Sequence, residues 1–393
     1  MITRQDIVEL AQFESPGGCA VSFYFQPNTP QNKSHREETI AVKDLVRNAL
    51  HETAKSGKNH SSTRADLERI LGMAEHLRGN RRMAKAVFAC SDRGFWREYD
   101  LPACLTGKFV AVSRHFLLRP LTPIGTVLPK VCIALAGRTT ARFFDLWLGE
   151  LKETEKFVSE LPRRGRSNGF SGYDAGHTER HIGHEALHHY KKFAERLQKK
   201  HEKEGFDRLI VGCRDETWPE LEPCLHPYAK QRLVGRFPFD FTTATVDQVR
   251  EQAERLLEEF RQKRYHELFA RVVDEAKANG LGALGIKRVI RSLETGEVQT
   301  LLLGQNFRAL AAECSNCGHV EPLKTEGACP VCGAGTRAIE DVSNILLSSA
   351  LRHGIEILHV PPDPEFEKVG SVAALLRFRA DQNTNAVLQQ QAG

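Results

Sequence analysis

No stretch of about 18 consecutive apolar residues occurs in this 393-residue chain, which argues against a membrane-crossing helix. The opening residues, Met1-Ile-Thr-Arg-Gln-Asp6, lack an apolar core and a small-residue cleavage site. A secretory signal is therefore not expected, and the expected location is the cytoplasm. No internal repeat is visible. Nor is there a large charge of one sign: 55 Lys and Arg against 50 Asp and Glu leave a formal +5. With 41% hydrophobic and 27% charged residues, the composition is ordinary and globular, which excludes a disordered tail or a coiled coil. The length predicts two or three domains.

The small excess is not evenly spread. Leu161 to Lys203 holds ten Lys or Arg against five Asp or Glu, so these 43 residues carry all of it. Six of the sixteen histidines lie there too, so the segment's charge should rise as pH falls toward about 6. A concentrated basic segment gains free energy on phosphate by releasing condensed counterions, which points to nucleic acid. The plain alternative is a solvated basic helix with no partner.

Of ten cysteines, four form Cys314-x2-Cys317 and, after eleven residues, Cys329-x2-Cys332. Each pair is followed by glycine, Gly318 or Gly333, which allows the tight turn that aims two thiolates at one ion. The pattern predicts a structural zinc ribbon at 312–337 with one zinc per chain, since four thiolates leave no open coordination position. Two disulfides fit poorly with six further thiols and no secretion signal. Cys132 and Cys213 sit in apolar runs and read as buried thiols.

Strands and helices alternate along the chain, which implies α/β layers. Strands are expected at Ala20 to Phe25, Met83 to Cys90, Phe109 to Leu118, Lys130 to Ala136, Thr140 to Trp147, Arg208 to Gly212, Val298 to Leu303, Ile355 to Val360 and Ala373 to Phe378. Helices are expected at Glu37 to Ala54, Arg64 to Leu77, His177 to Lys203, Thr245 (as N-cap) to about Gly280, Ile286 to Leu293 and Val342 to His353. Leu161 to Gly176 should be a loop. Its Arg163, Arg164 and Arg166 suit phosphate, and its Phe170 and Tyr173 suit stacking on a base. Breaks near 127 and 237 give three domains: 1–127, 128–237 with the basic loop and histidine-rich helix, and 238–393 with the ribbon.

At about 100° per residue, His177, His181, His184 and His188 cluster on one helix face, with Arg180 and Lys191 beside them. Ile182, Ala186, Tyr190, Phe193 and Leu197 cluster opposite and should dock on the domain. Asp174 is placed to cap the helix. The run His184-Glu185-Ala186-Leu187-His188 also has H-E-x-x-H spacing, the zinc-peptidase pattern. Against that reading, Lys191 and Ala194 stand where an extended zinc site would need Gly and His. His189 and Lys191 also read as charged neighbours suited to a basic surface.

Together these features resemble the archaeo-eukaryotic class I release factor and Pelota superfamily, in its bacterial branch. The first domain carries Val21-Ser-Phe-Tyr-Phe-Gln-Pro27. The second has Lys130-Val-Cys-Ile-Ala-Leu-Ala-Gly-Arg138, the basic loop and histidine helix, and Phe206-Asp-Arg-Leu-Ile-Val-Gly212. The third has Gly285-Ile-Lys-Arg-Val-Ile-Arg-Ser-Leu293, Gly296-Glu-Val-Gln-Thr-Leu-Leu-Leu303, the four cysteines and Gly370-Ser-Val-Ala-Ala-Leu-Leu-Arg377. The resemblance implies a mixed α/β, three-domain release-factor-like architecture with the zinc ribbon inserted in the third domain. It implies ribosome binding in the A site, with Arg163, Arg164, Arg166, Phe170, Tyr173, His177, Arg180, His181, His184, His188 and Lys191 on ribosomal RNA. It further implies a translational GTPase, such as elongation factor Tu, on the third domain. A monomer is expected.

Two departures matter. The Gly-Gly-Gln that positions water for peptidyl-tRNA hydrolysis in release factors occurs nowhere in the chain. Asn32-Lys33-Ser34 lacks the isoleucine of the stop-codon-reading motif. The implied role is therefore ribosome rescue or hibernation without hydrolysis. Hydrolysis through a substitute residue such as a histidine, the zinc peptidase, and binding to a non-ribosomal RNA stay open as alternatives.

Overall fold

The computed structural model describes residues 2–26, 35–55, 61–73, 83–102, 108–121, 129–147, 149–159, 173–241, 245–322, 324, 327–339 and 341–380. The chain divides into two compact units, Met1–Val127 with Tyr265–Gly393, and Leu128–Arg264.

The first unit begins with α1 (Arg4–Gln12), which the sequence reading passed over. Its start is specified locally. Thr3 accepts the Asp6 N–H at 3.2 Å while the Asp6 carboxylate accepts the Thr3 N–H at 2.7 Å, a reciprocal cap. There follow β1 (Ala20–Phe25), α2 (His35–Lys55), α3 (Ser61–Met73), β2 (Met83–Cys90), β3 (Phe95–Pro102) and β4 (Phe109–Ser113). The sheet is antiparallel in the order β3-β2-β1-β4. Every residue of β1 is buried because both sheet faces are covered. Val21, Phe23 and Phe25 meet Val42 and Val46 of α2 and Leu67 and Ile70 of α3. On the other face Tyr24 and Phe88 join a ring cluster with Phe13, Phe95 and Phe116. The last strand stops at Ser113 rather than Leu118. There the Ser113 hydroxyl turns onto the His115 carbonyl, and the Leu117 N–H donates to Ser22 Oγ.

The second unit holds β5 (Val131–Ala136), β6 (Thr140–Trp147), β7 (Glu150–Val158), α4 (Tyr173–Glu204), β8 (Arg208–Cys213), α5 (Trp218–Leu221), α6 (Pro227–Arg232), β9 (Leu233–Phe237) and the first half of α7 (Val246–Lys277). Sheet order is β7-β6-β5-β8-β9, with the β5/β8 and β8/β9 pairs parallel. Alternation along β5 assigns its faces. Cys132, Ala134 and Ala136 share a core with α4, whereas Val131, Ile133 and Leu135 share one with Val249 and Ala253 of α7. At Gly212 a Cβ would sit 2.5 Å from Leu135 Cδ2 and 2.9 Å from Phe237 Cζ, so glycine there lets those side chains meet over β8. As expected, Thr245 caps α7, its hydroxyl accepting the Gln248 N–H at 3.3 Å. The sequence reading grouped residues 238–264 with the C-terminal domain. In the structure Phe239, Val249 and Ala253 pack against the middle sheet instead.

The rest of the first unit contains β10 (Gly282–Leu284), α8 (Ile286–Glu294), β11 (Val298–Gly304), β12 (Ala311–Cys314), β13 (Val320–Pro322), β14 (Thr336–Ile339), α9 (Ser343–Arg352), β15 (Glu356–Val360), α10 (Pro364–Lys368) and β16 (Val372–Leu376). Its main sheet runs β10-β16-β11-β15 and packs on Tyr265 and Val272 from the second half of α7. A separate three-stranded sheet, β13-β12-β14, carries the cysteines. The fold is thus mixed α/β, as expected.

Candidate nucleic-acid interface and metal centre

Helix α4 is positioned by its inner face. Ala186, Tyr190, Phe193 and Leu197 are buried in the core over β5 and β6. Phe193 stacks on Phe143 at 5.1 Å. His184, His188 and Lys191 lie on the opposite side and are exposed. The helical period read from the sequence therefore sorts these residues correctly. Tyr173, His177, Arg180 and His181 fall on the first turns of the helix. Arg163, Arg164, Arg166 and Phe170 lie outside the described residues.

Three details correct the sequence reading. First, the helix starts at Tyr173, so Tyr173 to Gly176 belong to it and Asp174 is not its cap. The helix holds two glycines, Gly176 and Gly183, each costing only about 1 kcal/mol, which a 32-residue element absorbs. Second, His189 is not a charged neighbour of the stripe. It is 1% exposed, its Nδ1 lies 2.7 Å from the Ser159 hydroxyl, and its ring lies 5.0 Å from that of Phe157. Burial lowers its pKa. His201, half-buried against Phe206, is lowered by burial and by Arg232. Two of the six histidines thus resist the charging expected of them in mild acid.

Third, the basic excess is partly spent inside the unit. Lys200 is buried and lies 3.0 Å from Asp145 and 2.7 Å from Glu204. Arg196 pairs with Glu155 and covers the Phe157 ring. Asp145 and Glu155 stand on strands outside the segment whose charges were counted. The described cations left on the outer surface are Lys191, Lys192, Lys199 and Lys203.

The four cysteines come together. Their sulfurs lie within 4.8 Å of one another, with Cys314–Cys332 at 3.4 Å and Cys317–Cys329 at 3.6 Å. A tetrahedron with metal–sulfur bonds near 2.3 Å has sulfur–sulfur edges of about 3.8 Å, so the spacing fits a metal. Gly318 and Gly333 take φ of 73° and 74°, the left-handed turns the knuckles require. Cys314 Sγ accepts the Asn316 and Cys317 N–H groups, and Cys329 Sγ accepts that of Val331, all at 3.4 Å. The Cys317 and Asn316 N–H groups lower the Cys314 thiol's pKa, and the Ala334 N–H helps bring Cys332 down to about 6. His319 takes no place in the cluster. Its Nδ1 lies 3.0 Å from Glu294. Among the described residues this is the one cluster of three or more metal-binding side chains.

A buried polar cluster beside the cysteines was not legible in the sequence. Glu313, one residue before a ligand, is 2% exposed. Its carboxylate lies 3.0 Å from Arg337 Nε and 3.5 Å from His115 Nε2. Although burial opposes it, His115 and Arg337 hold this carboxyl below its ordinary pKa. Arg114 pairs with Glu14 and donates to the Cys314 carbonyl at 3.3 Å. The neighbouring residues continue the seam. Leu118 N–H donates to Asn344 Oδ1 at 2.8 Å, and Arg119 meets Asp341 at 2.9 Å and the Gln305 carbonyl at 2.7 Å. Partners some 200 residues apart leave no local sequence pattern.

The expected resemblance to the bacterial branch of the archaeo-eukaryotic release factors is met over the middle of the chain. Residues 118–258 match the model of bacterial archaeo-eukaryotic release factor family 10. The match takes in the sheet and helix that present the His184–Lys191 face. Peptide chain release factor subunit 1 of Pyrococcus abyssi is 27% identical over 309 residues, 71% of this chain and 73% of its own. That of Archaeoglobus fulgidus is 29% identical over 191 residues, 44% of this chain and 47% of its own. Among solved structures, a model of ribosome-bound archaeal Pelota and ABCE1 aligns over 96% of this chain and 94% of that one. It does so at 13% identity with a TM-score of 0.42.

Proposed function

We propose that this protein is a ribosome-binding translation factor that enters the A site in rescue or hibernation and does not hydrolyse peptidyl-tRNA. The observation that carries the reading is the docking of α4. Its apolar face is fixed in a core, while His184, His188 and Lys191 stand exposed within a segment matched to a release-factor family. Arg163, Arg164 and Arg166, just before the helix, add guanidiniums suited to bidentate phosphate contacts. Without Gly-Gly-Gln, the same prong binds but lacks the group that orients a hydrolytic water.

The chain works as three parts in this reading: an N-terminal part, a middle part that carries the histidine face, and a C-terminal part that carries the cysteines. Cys314, Cys317, Cys329 and Cys332 hold one structural zinc, which keeps the ribbon folded and supplies no open position for chemistry. The C-terminal part receives a translational GTPase such as elongation factor Tu, and the factor acts as a cytoplasmic monomer.

The test is co-sedimentation with 70S ribosomes across a salt series. Binding at low salt should fall steeply as salt rises, because phosphate contacts release counterions. Replacing Arg163, Arg164 and Arg166 together should weaken binding and flatten that slope. No co-sedimentation at low salt refutes the reading.

A further inference from the structure

Tyr228, on α6, is 60% exposed. A single exposed aromatic is unremarkable, because much of any protein surface is apolar. This one is ordered by its neighbours. The His226 ring stacks on it at 5.1 Å between centroids and 13° between planes. His226 Nδ1 accepts the Tyr228 N–H at 3.3 Å, so a neutral His226 carries its proton on Nε2. Arg232 donates to the Tyr228 carbonyl at 3.2 Å, fixing the other end of the short helix. Two rings are thus held parallel before any ligand arrives, which reduces the entropy lost on stacking.

The surroundings give the surface a direction. Leu225 and Ala229 sink into the core shared with the inner face of α4. Tyr228 and Lys230 are exposed beside them. Cys224, just before this helix, packs on the same core. Burial raises the Cys224 thiol's pKa while Lys191 and Lys230 draw it down. Glu216, Glu220 and Glu222 are exposed on the preceding segment and disfavour a broad polyanion contact. What this surface suits is one unstacked base with its phosphate, not the backbone of a duplex.

We propose that His226 and Tyr228, with Lys230 on the same short helix, form a stacking platform for an unpaired RNA base, a contact additional to the face of α4. An aromatic plane accepts any base, and single-stranded loops are where RNA offers one. The proposal rests on the ribosome-binding reading for its biological target, but not for its chemistry.

Two probes separate these: 70S ribosomes, and a ten-nucleotide single-stranded RNA compared with the same sequence as a duplex. Tyr228→Ala should weaken binding of both ribosome and single strand about 5- to 150-fold, the range for losing one stacked base. Tyr228→Phe keeps the ring and should bind as wild type. Lys230→Ala should weaken binding and reduce the salt slope by about one. Ultraviolet crosslinking should join the peptide containing Tyr228 to a ribosomal RNA nucleotide. If wild type ignores ribosomes but binds the single strand through Tyr228, the platform stands and the ribosome reading falls. If Tyr228→Ala binds both probes as wild type does, or if the crosslink is to a ribosomal protein, the platform is overturned.

Discussion

His359 lies on β15 opposite Leu303 of β11, and its Nε2 is enclosed without a hydrogen-bond partner. Burial, with help from the Arg119 guanidinium, lowers its pKa from 6.5 to about 4. The folded value lies below the unfolded one. The neutral ring's contribution to stability is therefore complete above about 6.5 and is lost as pH falls toward 4. Linkage between those two values gives a loss on the order of 2 kcal/mol at pH 5, and partial solvent access reduces it to about 1–2 kcal/mol. The charge would appear beside Arg119, which is anchored on Asp341 and Gln305, so the 116–119 seam should loosen first. Urea unfolding at pH 7.5 and pH 5.0, in wild type and His359→Asn, measures the effect. Trp96 is the one tryptophan of the first unit, so Trp147→Phe and Trp218→Phe isolate its signal. Wild type should lose about 1–2 kcal/mol more than the variant between the two pH values. Equal losses would show that the fold does not hold the ring neutral.

Other expectations are direct. Metal analysis should find one zinc per chain, lost in a Cys314→Ser/Cys317→Ser variant. Hydrogen exchange in that variant should quicken in both 311–322 and 114–119, because Glu313 and the Cys314 carbonyl anchor the latter. Zinc persisting at full occupancy would instead place metal on His184 and His188. Phe193→Ala should destabilise the second unit by about 3–5 kcal/mol, whereas Lys191→Ala should stay within about 0.5 kcal/mol by thermal unfolding. Equal effects would mean that the two faces of α4 are not distinguished by burial. Stalled ribosomes incubated with the factor should keep their peptidyl-tRNA intact on a gel, and release would revive the substitute-residue alternative.

Legibility followed the range of the forces. The faces of α4 could be read because Ala186, Tyr190, Phe193 and Leu197 repeat with the helical period. The cysteine cluster could be read because its ligands and glycines are local. His189 was misread because one step of about 100° past His188 carries a residue into the core. β7, with the sequence ELKETEKFV, was missed because it is a sheet-edge strand whose alternate residues are charged and exposed. α1 had a legible signal, Thr3 three residues before Asp6, that went unused. The loss of Arg196 and Lys200 from the basic surface, and the seam around Glu313, depend on partners tens to hundreds of residues away. No window of sequence displays those.

The most direct test of the central claim is a cryo-EM map of this protein mixed with ribosomes from its own cell. The account predicts density for the middle domain in the A site, with the α4 face of His184, His188 and Lys191 against ribosomal RNA and peptidyl-tRNA uncleaved where present. Density for the factor elsewhere on the ribosome, or α4 turned away from RNA, would contradict it.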